Sequence, residues 1–216
     1  GRNEAKNAEA VAELVAMGGH AQSFEADVTD PASTAAAFDR TINAFGKIDS
    51  CFANAGGAGA RGSFVDMDRQ AWLDTNELNI LSVIDTFQLA TRHWQNRKAG
   101  GKLIVTSSVA ALLGLPNSAG YCLTKSAVTG LVRSLAIELG RSGIQVNAIL
   151  PGFIETEMSL NTPKAFQDGC RRRAASGKIG QLSDMEGIAV YLASKQSNFM
   201  TGQALVLDDG HSIFPL

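Results

Sequence analysis

Three side chains suited to proton transfer follow one another closely in the sequence. Ser108 is followed after thirteen residues by Tyr121, and Tyr121 after four residues by Lys125. Residues four apart lie on one face of a helix, so we expect the Lys125 ammonium beside the phenol. A neighbouring positive charge favours phenolate and lowers the pKa of a tyrosine from about 10, which suits a general acid or base. Ser108 is placed to hydrogen-bond the same reacting oxygen.

The elements that must hold these residues alternate between apolar runs and helices. We expect strands at 21–26, 48–53, 102–106, 144–150 and 204–207, and helices at 4–17, 31–45, 70–97, 119–140 and 183–193. This alternation predicts a parallel sheet covered by helices on both faces. Ligands of such sheets bind beyond the carboxyl ends of the strands, which places Asn54, Ser107 and Pro151 at the expected site.

Local signals mark where two of these helices begin. Asp30 followed by Pro31 is a typical N-cap and first helical residue, and Ser183 with Glu186 forms a Ser-x-x-Glu capping box. Residues 155–181 are only weakly patterned, and connections of this length are often functional lids. We therefore expect a substrate lid at 155–181. No linker or internal repeat divides the chain, so residues 1–216 are expected to form one domain.

A glycine-rich stretch follows the strand at 48–53. Gly57, Gly59 and Gly62 match the pattern G-x-G-x-x-G. That pattern binds a dinucleotide only where a helix begins at its third glycine, and no helix is expected directly after Gly62. We interpret the match as chance and the stretch as a flexible wall of a pocket.

Composition excludes several classes of protein. The chain has 216 residues, is 45% hydrophobic and 19% charged, and carries a net charge of −2, which argues against a nucleic-acid or membrane-surface binder. No apolar run approaches the roughly 20 residues of a membrane span. The three cysteines contain no C-x-x-C pair and the three histidines are far apart, so we expect no metal site and a cytoplasmic protein.

Further short motifs occur in an order typical of one family. They are Asp27-Val28, Asn54-Ala55-Gly56, Leu78-Asn79, Ser108, Tyr121-x-x-x-Lys125, Pro151-Gly152-x-Ile154-x-Thr156 and Thr201-Gly202-Gln203. On these motifs the sequence resembles the single-domain branch of the short-chain dehydrogenase/reductase family. The resemblance implies a Rossmann-like, doubly wound parallel sheet in three α/β/α layers. It also implies an NAD(P)(H)-dependent oxidoreductase that interconverts a secondary alcohol and a ketone.

The resemblance assigns catalytic roles to four residues. Tyr121 would exchange the proton at the substrate oxygen, and Ser108 would orient that oxygen. Lys125 would hold the nicotinamide ribose and tune Tyr121. Asn79 would hold a water that links Lys125 to solvent, in addition to satisfying backbone groups at a helix kink.

The resemblance also implies a set of cofactor contacts. Asp27 and Val28 would contact the adenine, and the backbone of Asn54, Ala55 and Gly56 would pass close to the adenosine ribose. Four residues after the strand at 144–150 would frame the nicotinamide: Pro151, Gly152, Ile154 and Thr156.

The glycine fingerprint of the family, T-G-x-x-x-G-x-G, does not occur in the sequence. We expect it in a segment before Gly1, so that this chain lacks the first βαβ portion of the sheet. Gly1 stands where the family has an acidic residue that selects NAD, and Arg2 beside it could pair with the 2′-phosphate of NADP. We expect NADP(H), with NAD(H) as the alternative.

Several functions remain open within this resemblance. A 3-oxoacyl-carrier-protein reductase and a sugar or polyol dehydrogenase both fit, and a hydroxysteroid or xenobiotic activity is also open. A non-catalytic nucleotide-binding regulator is the alternative outside catalysis, and a sugar-nucleotide epimerase would need a longer C-terminal region. The cluster at 171–173, three arginines, is either a solvated helix face or a contact for an anionic substrate. The helices at 70–97 and 119–140 resemble the family's dimer contact, from which we expect a homotetramer or a homodimer.

Overall fold

The computed structural model describes residues 1–213 and contains one parallel sheet. Its strands are β1 (Ser50–Ala53), β2 (Gly101–Thr106), β3 (Ile144–Pro151) and β4 (Ala204–Leu207), and their order in the sheet follows the chain. The pairing sets Ala53 beside Val105 and Thr106 beside Ile149, so the carboxyl ends of β1, β2 and β3 meet at one edge. The predicted parallel α/β sheet is confirmed.

Eight α-helices connect and cover the strands of the described chain. They are α1 (Glu4–Ala16), α2 (Pro31–Phe45), α3 (Arg69–Asn76), α4 (Ser82–Asn96), α5 (Ala119–Leu139), α6 (Glu157–Leu160), α7 (Lys164–Arg173) and α8 (Glu186–Ala193). Helix α2 begins as predicted, because the Asp30 side chain accepts from the Ala32 N–H and Pro31 needs no donor there. It ends at Gly46, whose φ of 75° lies in the left-handed region.

Both faces of the sheet carry an apolar layer. Leu103 and Val105 of β2 point to one face, where they pack with Phe87 of α4 and with the buried valines of α5. Ile104 points to the other face and packs with Leu192 of α8. Each such buried side chain contributes about 1.5–3 kcal/mol. The alternation along β2 confirms the predicted three-layer, doubly wound arrangement.

The predicted long helix at 70–97 is present but interrupted. Residues Glu77–Leu81 form a π-helical turn between α3 and α4. This turn carries Asn79, which is 1% exposed and therefore faces the interior. Such turns insert one extra residue into a helix and are frequent at functional sites.

Two local predictions are wrong. Residues 21–26 form no strand, because their only backbone partner within residues 1–213 is Gly1, through long bonds to Phe24 and Ala26 of 3.5 and 3.4 Å. The connection at 155–181, the predicted lid, contains α6 and α7. The capping box before α8 is Gln181 with Asp184, whose carboxylate accepts the Gln181 N–H at 2.7 Å, and not Ser183 with Glu186. The cap therefore lies two residues before the predicted Ser183, and a 3₁₀ turn at Leu182–Met185 precedes α8.

None of the helices in residues 1–213 combines the length and the apolarity needed to cross a bilayer. The same residues hold no group of three or more histidine, cysteine or acidic side chains arranged for a metal ion.

Candidate active site

The predicted strand ends lie together at the carboxyl edge of the sheet. The Thr106 hydroxyl at the end of β2 donates to Asn54 Oδ1 after β1 at 2.7 Å. Ser107 continues the ladder, since its N–H donates to Ile149 O of β3 at 2.8 Å. Its hydroxyl donates to the Lys125 carbonyl at 2.9 Å and so anchors α5 against this edge.

Tyr121 lies in the first turn of α5, with its phenol near the Ser108 hydroxyl. Ser108 is fixed by its own loop, because Ala110 N–H donates to its Oγ at 3.1 Å. Burial raises the pKa of Tyr121 above its ordinary value of 10, while the nearby Ser108 hydroxyl and the charge of Arg61 oppose this rise. The predicted lowering of this pKa by Lys125 is therefore wrong for the protein without a bound nucleotide.

The position of Lys125 explains why it does not lower the pKa of Tyr121. Its Nζ lies 5.7 Å from the centre of the Tyr121 ring and donates to Thr106 O at 2.9 Å. The ammonium therefore lies over the ring rather than against the phenol oxygen. The side chain is buried, and burial lowers the pKa of Lys125 from 10.5 to about 8.

Asn79 holds the loop after β1 in place with a pair of hydrogen bonds. Its Oδ1 accepts from Gly57 N and its Nδ2 donates to Gly57 O, both at 2.9 Å. The same Nδ2 also contacts Thr124 Oγ1 of α5 at 3.2 Å. A Cβ atom at Gly56 would lie 3.1 Å from Asn79 Oδ1 and 3.4 Å from Lys125 Nζ. Gly56, Asn79 and Lys125 thus converge at one point, where a side chain at residue 56 would crowd both.

This point fits the ribose of a nucleotide cofactor. Lys125 has three ammonium protons, and one of them donates to Thr106 O within the described chain. The remaining donors lie beside a glycine whose missing Cβ leaves room for a close approach. A buried ammonium with free donors is the group that a vicinal diol can satisfy.

A second group contains the residues that the sequence predicts to contact the adenine. The Arg2 guanidinium donates to Asp27 Oδ2 at 3.2 Å, in a pair that is largely exposed. Thr29 donates to the same carboxylate from its N–H and its hydroxyl, and these bonds are the main reason that the pKa of Asp27 is lowered. Val28 lies between Asp27 and Thr29, half-buried.

The third group follows β3, which itself ends at Pro151. Gly152 N–H donates to Leu207 O at 2.8 Å, and a Cβ at Gly152 would lie 2.6 Å from Asp208 Cβ. Ile154 pairs with Gly180 in a β-bridge.

Thr156 caps α6 by accepting the Ser159 N–H at 3.2 Å. Glu157, the next residue, forms an ion pair with Lys6 of α1 at 2.5 Å. That pair connects the third group with the helix that follows Arg2. The structure therefore places the predicted residues in three groups along one edge, with Ala55 on the loop between Asn54 and Gly56.

Two residues of the site were missed by sequence reasoning. Arg61 lies close enough to Tyr121 to lower its pKa, and it is the single charged residue of the glycine-rich stretch. Its position as a lone charge among glycines was the only signal in the sequence, because Arg61 belongs to none of the motifs. Thr106, which accepts from Lys125 and donates to Asn54, carries no signal at all because it reads as the last residue of a strand.

Comparison with known proteins agrees with this geometry. A family model described as enoyl-(acyl carrier protein) reductase matches residues 1–212. L-rhamnose 1-dehydrogenase (NAD(P)(+)) of Azotobacter vinelandii is 34% identical over 200 residues, which cover 92% of this chain and 78% of the relative. The chain belongs to the short-chain dehydrogenase/reductase family.

Other members of the short-chain dehydrogenase/reductase family are similarly close. Gluconate 5-dehydrogenase of Gluconobacter oxydans is 34% identical over 218 residues, which cover 99% of this chain and 83% of the relative. The solved structure of a gluconate 5-dehydrogenase from Burkholderia cenocepacia in complex with NADP and tartrate has a TM-score of 0.90 and 33% identity. It covers 99% of this chain and 84% of that chain. The predicted class, an NAD(P)-dependent oxidoreductase acting on an alcohol or ketone, is confirmed.

Proposed function

We propose that this protein interconverts a secondary alcohol and a ketone with Tyr121 as the general acid/base. The observation that carries the proposal is the convergence of Ser108, Tyr121 and Lys125 at the edge where Gly56 leaves space. A bound nicotinamide supplies the hydride chemistry. Tyr121 gives its proton to the carbonyl oxygen during reduction and removes it from the alcohol during oxidation. Ser108 donates to the same oxygen and fixes its direction.

Lys125 and Asn79 prepare this proton transfer. Lys125 would hold the cofactor ribose through its free ammonium protons, which brings a fixed positive charge near the phenol. Asn79 fixes Gly57 and thereby the loop that borders the ribose site. We further propose that a water on Asn79 links Lys125 to solvent and restores the proton after each turnover.

For the cofactor we propose NADP(H), with Arg2 pairing the 2′-phosphate. Arg2 already binds one anion, the Asp27 carboxylate, in a pair so exposed that solvent screens most of its attraction. A phosphate with two negative charges would displace that carboxylate at little cost. Asp27 and Val28 would then border the adenine, and Pro151, Gly152, Ile154 and Thr156 would border the nicotinamide.

We propose that residues 1–216 form one oxidoreductase domain in which 155–181 is the substrate lid. Names of relatives favour a sugar, polyol or hydroxy acid as the substrate over a 3-oxoacyl thioester. We also propose a homotetramer in the cytoplasm. A sedimentation mass equal to one chain would contradict the tetramer.

The activity is tested on the full-length protein with NADPH and a panel of ketones. Tyr121→Phe should lower kcat by about 10²–10⁴-fold, because the proton donor is lost while the ring is kept. Tyr191→Phe is the matched control, since Tyr191 lies in α8 on the opposite face of the sheet and should not affect turnover. An unchanged kcat in Tyr121→Phe would refute the mechanism.

The cofactor assignment needs a separate titration. Arg2→Gln should weaken binding of NADPH by about tenfold, from loss of a charge-assisted bond, and leave NADH binding unchanged. Fluorescence titration of both nucleotides measures this. Tighter binding of NADH than NADPH to the unchanged protein would overturn the role of Arg2.

A further inference from the structure

A cavity of about 460 Å³ lies between α7 and the loop at 113–115. Its size is that of a small-molecule pocket. Most of its lining is apolar, from the loop and from Ala165, Phe166 and Cys170 of α7. Two charged side chains interrupt this lining, and they are Arg172 and Arg173.

Two features connect the cavity with the region of the reacting residues. The loop at 113–115, which forms one wall, is held next to α5 because the thiol of Cys122, the residue after Tyr121, donates to Leu113 O at 3.7 Å. On the other side, Cys170 and His211 line both this cavity and a second one of about 560 Å³. The second cavity is lined by Ile154, one of the residues assigned to the nicotinamide. The arginine-lined cavity therefore borders the cavity that contains Ile154, and its loop is tied to the residue next to Tyr121.

The two arginines have no carboxylate partner among the described residues. Asp168, the acidic residue of α7, already pairs with Lys164 at 3.2 Å and with Arg171 at 3.1 Å. Arg171 is thereby neutralised within its own helix, whereas Arg172 and Arg173 are not. The Arg172 guanidinium lies over Gly169, where a Cβ would stand 3.8 Å from its Nη2. The Arg172 and Arg173 side chains are both exposed and therefore accessible to a ligand.

Two solvent-exposed guanidinium groups without a carboxylate partner, at the border of a largely apolar cavity, favour an anion as the occupant. Guanidinium binds carboxylates and phosphates through paired N–H donors, and these bonds strengthen where water is partly excluded. A neutral sugar would form no ion pair with either guanidinium. The small volume suits a compact acid better than an acyl chain with its carrier.

We propose that Arg172 and Arg173 bind a carboxylate of the substrate, so that the protein acts on hydroxy acids and the matching keto acids. This inference rests on the proposed function, which supplies the reaction at the alcohol carbon. Arg172 and Arg173 are specificity residues here and take no part in the proton transfer.

The test compares acids with neutral analogues of the same shape. The probes are 4-oxocyclohexanecarboxylate and levulinate, each beside its primary amide, reduced with NADPH by the full-length protein. We expect kcat/KM to favour the acids, and Arg172→Gln or Arg173→Gln to lower it for the acids by about 10- to 100-fold while the amides stay unchanged. Arg171→Gln is the matched control and should leave the ratio of acid to amide unchanged, because that guanidinium is already paired.

Each other outcome counts against the proposal. Equal kcat/KM for acids and amides, or equal losses for both in the variants, would overturn it. A preference for 3-oxobutyryl-coenzyme A that the variants abolish would assign the arginines to a phosphate instead of a carboxylate.

A binding measurement separates this proposal from the proposed function. Calorimetry of 4-oxocyclohexanecarboxylate with the NADP⁺-loaded protein detects the site without turnover. Binding that is lost in Arg172→Gln, in a protein that reduces no ketone, would support the anion site and refute the oxidoreductase mechanism. Absence of binding would refute the anion site alone.

Discussion

Replacing Lys125 by methionine should separate stability from function in a way that depends on pH. Burial lowers the pKa of Lys125 from 10.5 to about 8, so the folded protein binds this proton less tightly than the unfolded chain does. At about 1.36 kcal/mol per pH unit, holding the charged form in the fold costs about 3 kcal/mol. That cost is fully present below about pH 8, and it disappears as the pH rises to 10.5, where the unfolded chain also loses the proton.

Lys125→Met removes this cost and also one favourable contact. The lost hydrogen bond to Thr106 O contributes about 1–2 kcal/mol. The variant should therefore be more stable than the unchanged protein by about 1–2 kcal/mol at pH 7, and less stable by a similar amount near pH 10.5. The shape of the side chain is nearly kept, so packing should change little.

Urea unfolding of the full-length protein without nucleotide measures both free energies between pH 7 and pH 10.5. Lys195→Met is the control, since Lys195 is exposed and should change stability by less than about 0.5 kcal/mol at every pH. A difference between Lys125→Met and the unchanged protein that stays constant across this range would refute the reasoning. Ketone reduction by Lys125→Met should be lost even where its stability is gained.

Three further changes have defined outcomes. Asn79→Ala removes three buried hydrogen bonds and should lower the free energy of unfolding by about 2–4 kcal/mol, and a loss below 0.5 kcal/mol in urea unfolding would contradict the role of this amide. Arg61→Gln removes a charge that lowers the pKa of Tyr121, so the pH–rate profile for alcohol oxidation should shift to higher pH, and a shift to lower pH would contradict it. Gly152→Ala places a Cβ 2.6 Å from Asp208 Cβ and should cost about 1–3 kcal/mol of stability, which thermal unfolding would show.

The sequence was sufficient wherever a structure depends on neighbours along the chain. Helix α2 is an example, since its start at Pro31 and its end before Gly46 follow from local capping. The strands of the sheet were found because buried parallel strands are continuous apolar runs. Residues 21–26 are more polar than these runs, and they have no neighbouring strand among the described residues. A strand exists only beside a hydrogen-bonded partner, and that is not a local property.

Site residues, too, were predicted where they depend on neighbours along the chain and missed where they depend on distant segments. Spacing on one helix identified Tyr121 and Lys125, and the structure puts them on one face. The pKa of Tyr121 was predicted with the wrong sign, because it depends on burial and on where the ammonium points. Arg61 was missed for a similar reason: it approaches Tyr121 from a separate loop, and this proximity arises only in the folded chain.

The π-helical turn at Glu77–Leu81 lets one continuous helix serve two different neighbours. Each residue of an α-helix turns the chain by about 100°, so one additional residue rotates α3 relative to α4 by that angle. Helix α4 can therefore direct its apolar face to β1 and β2 while α3 directs its own to α5. A single deletion within the turn would restore a regular helix, but it would turn one half away from its partner. The extra residue thus sets the rotation between α4, which packs in the core, and α3, which borders the reacting groups, so that both faces meet their partners.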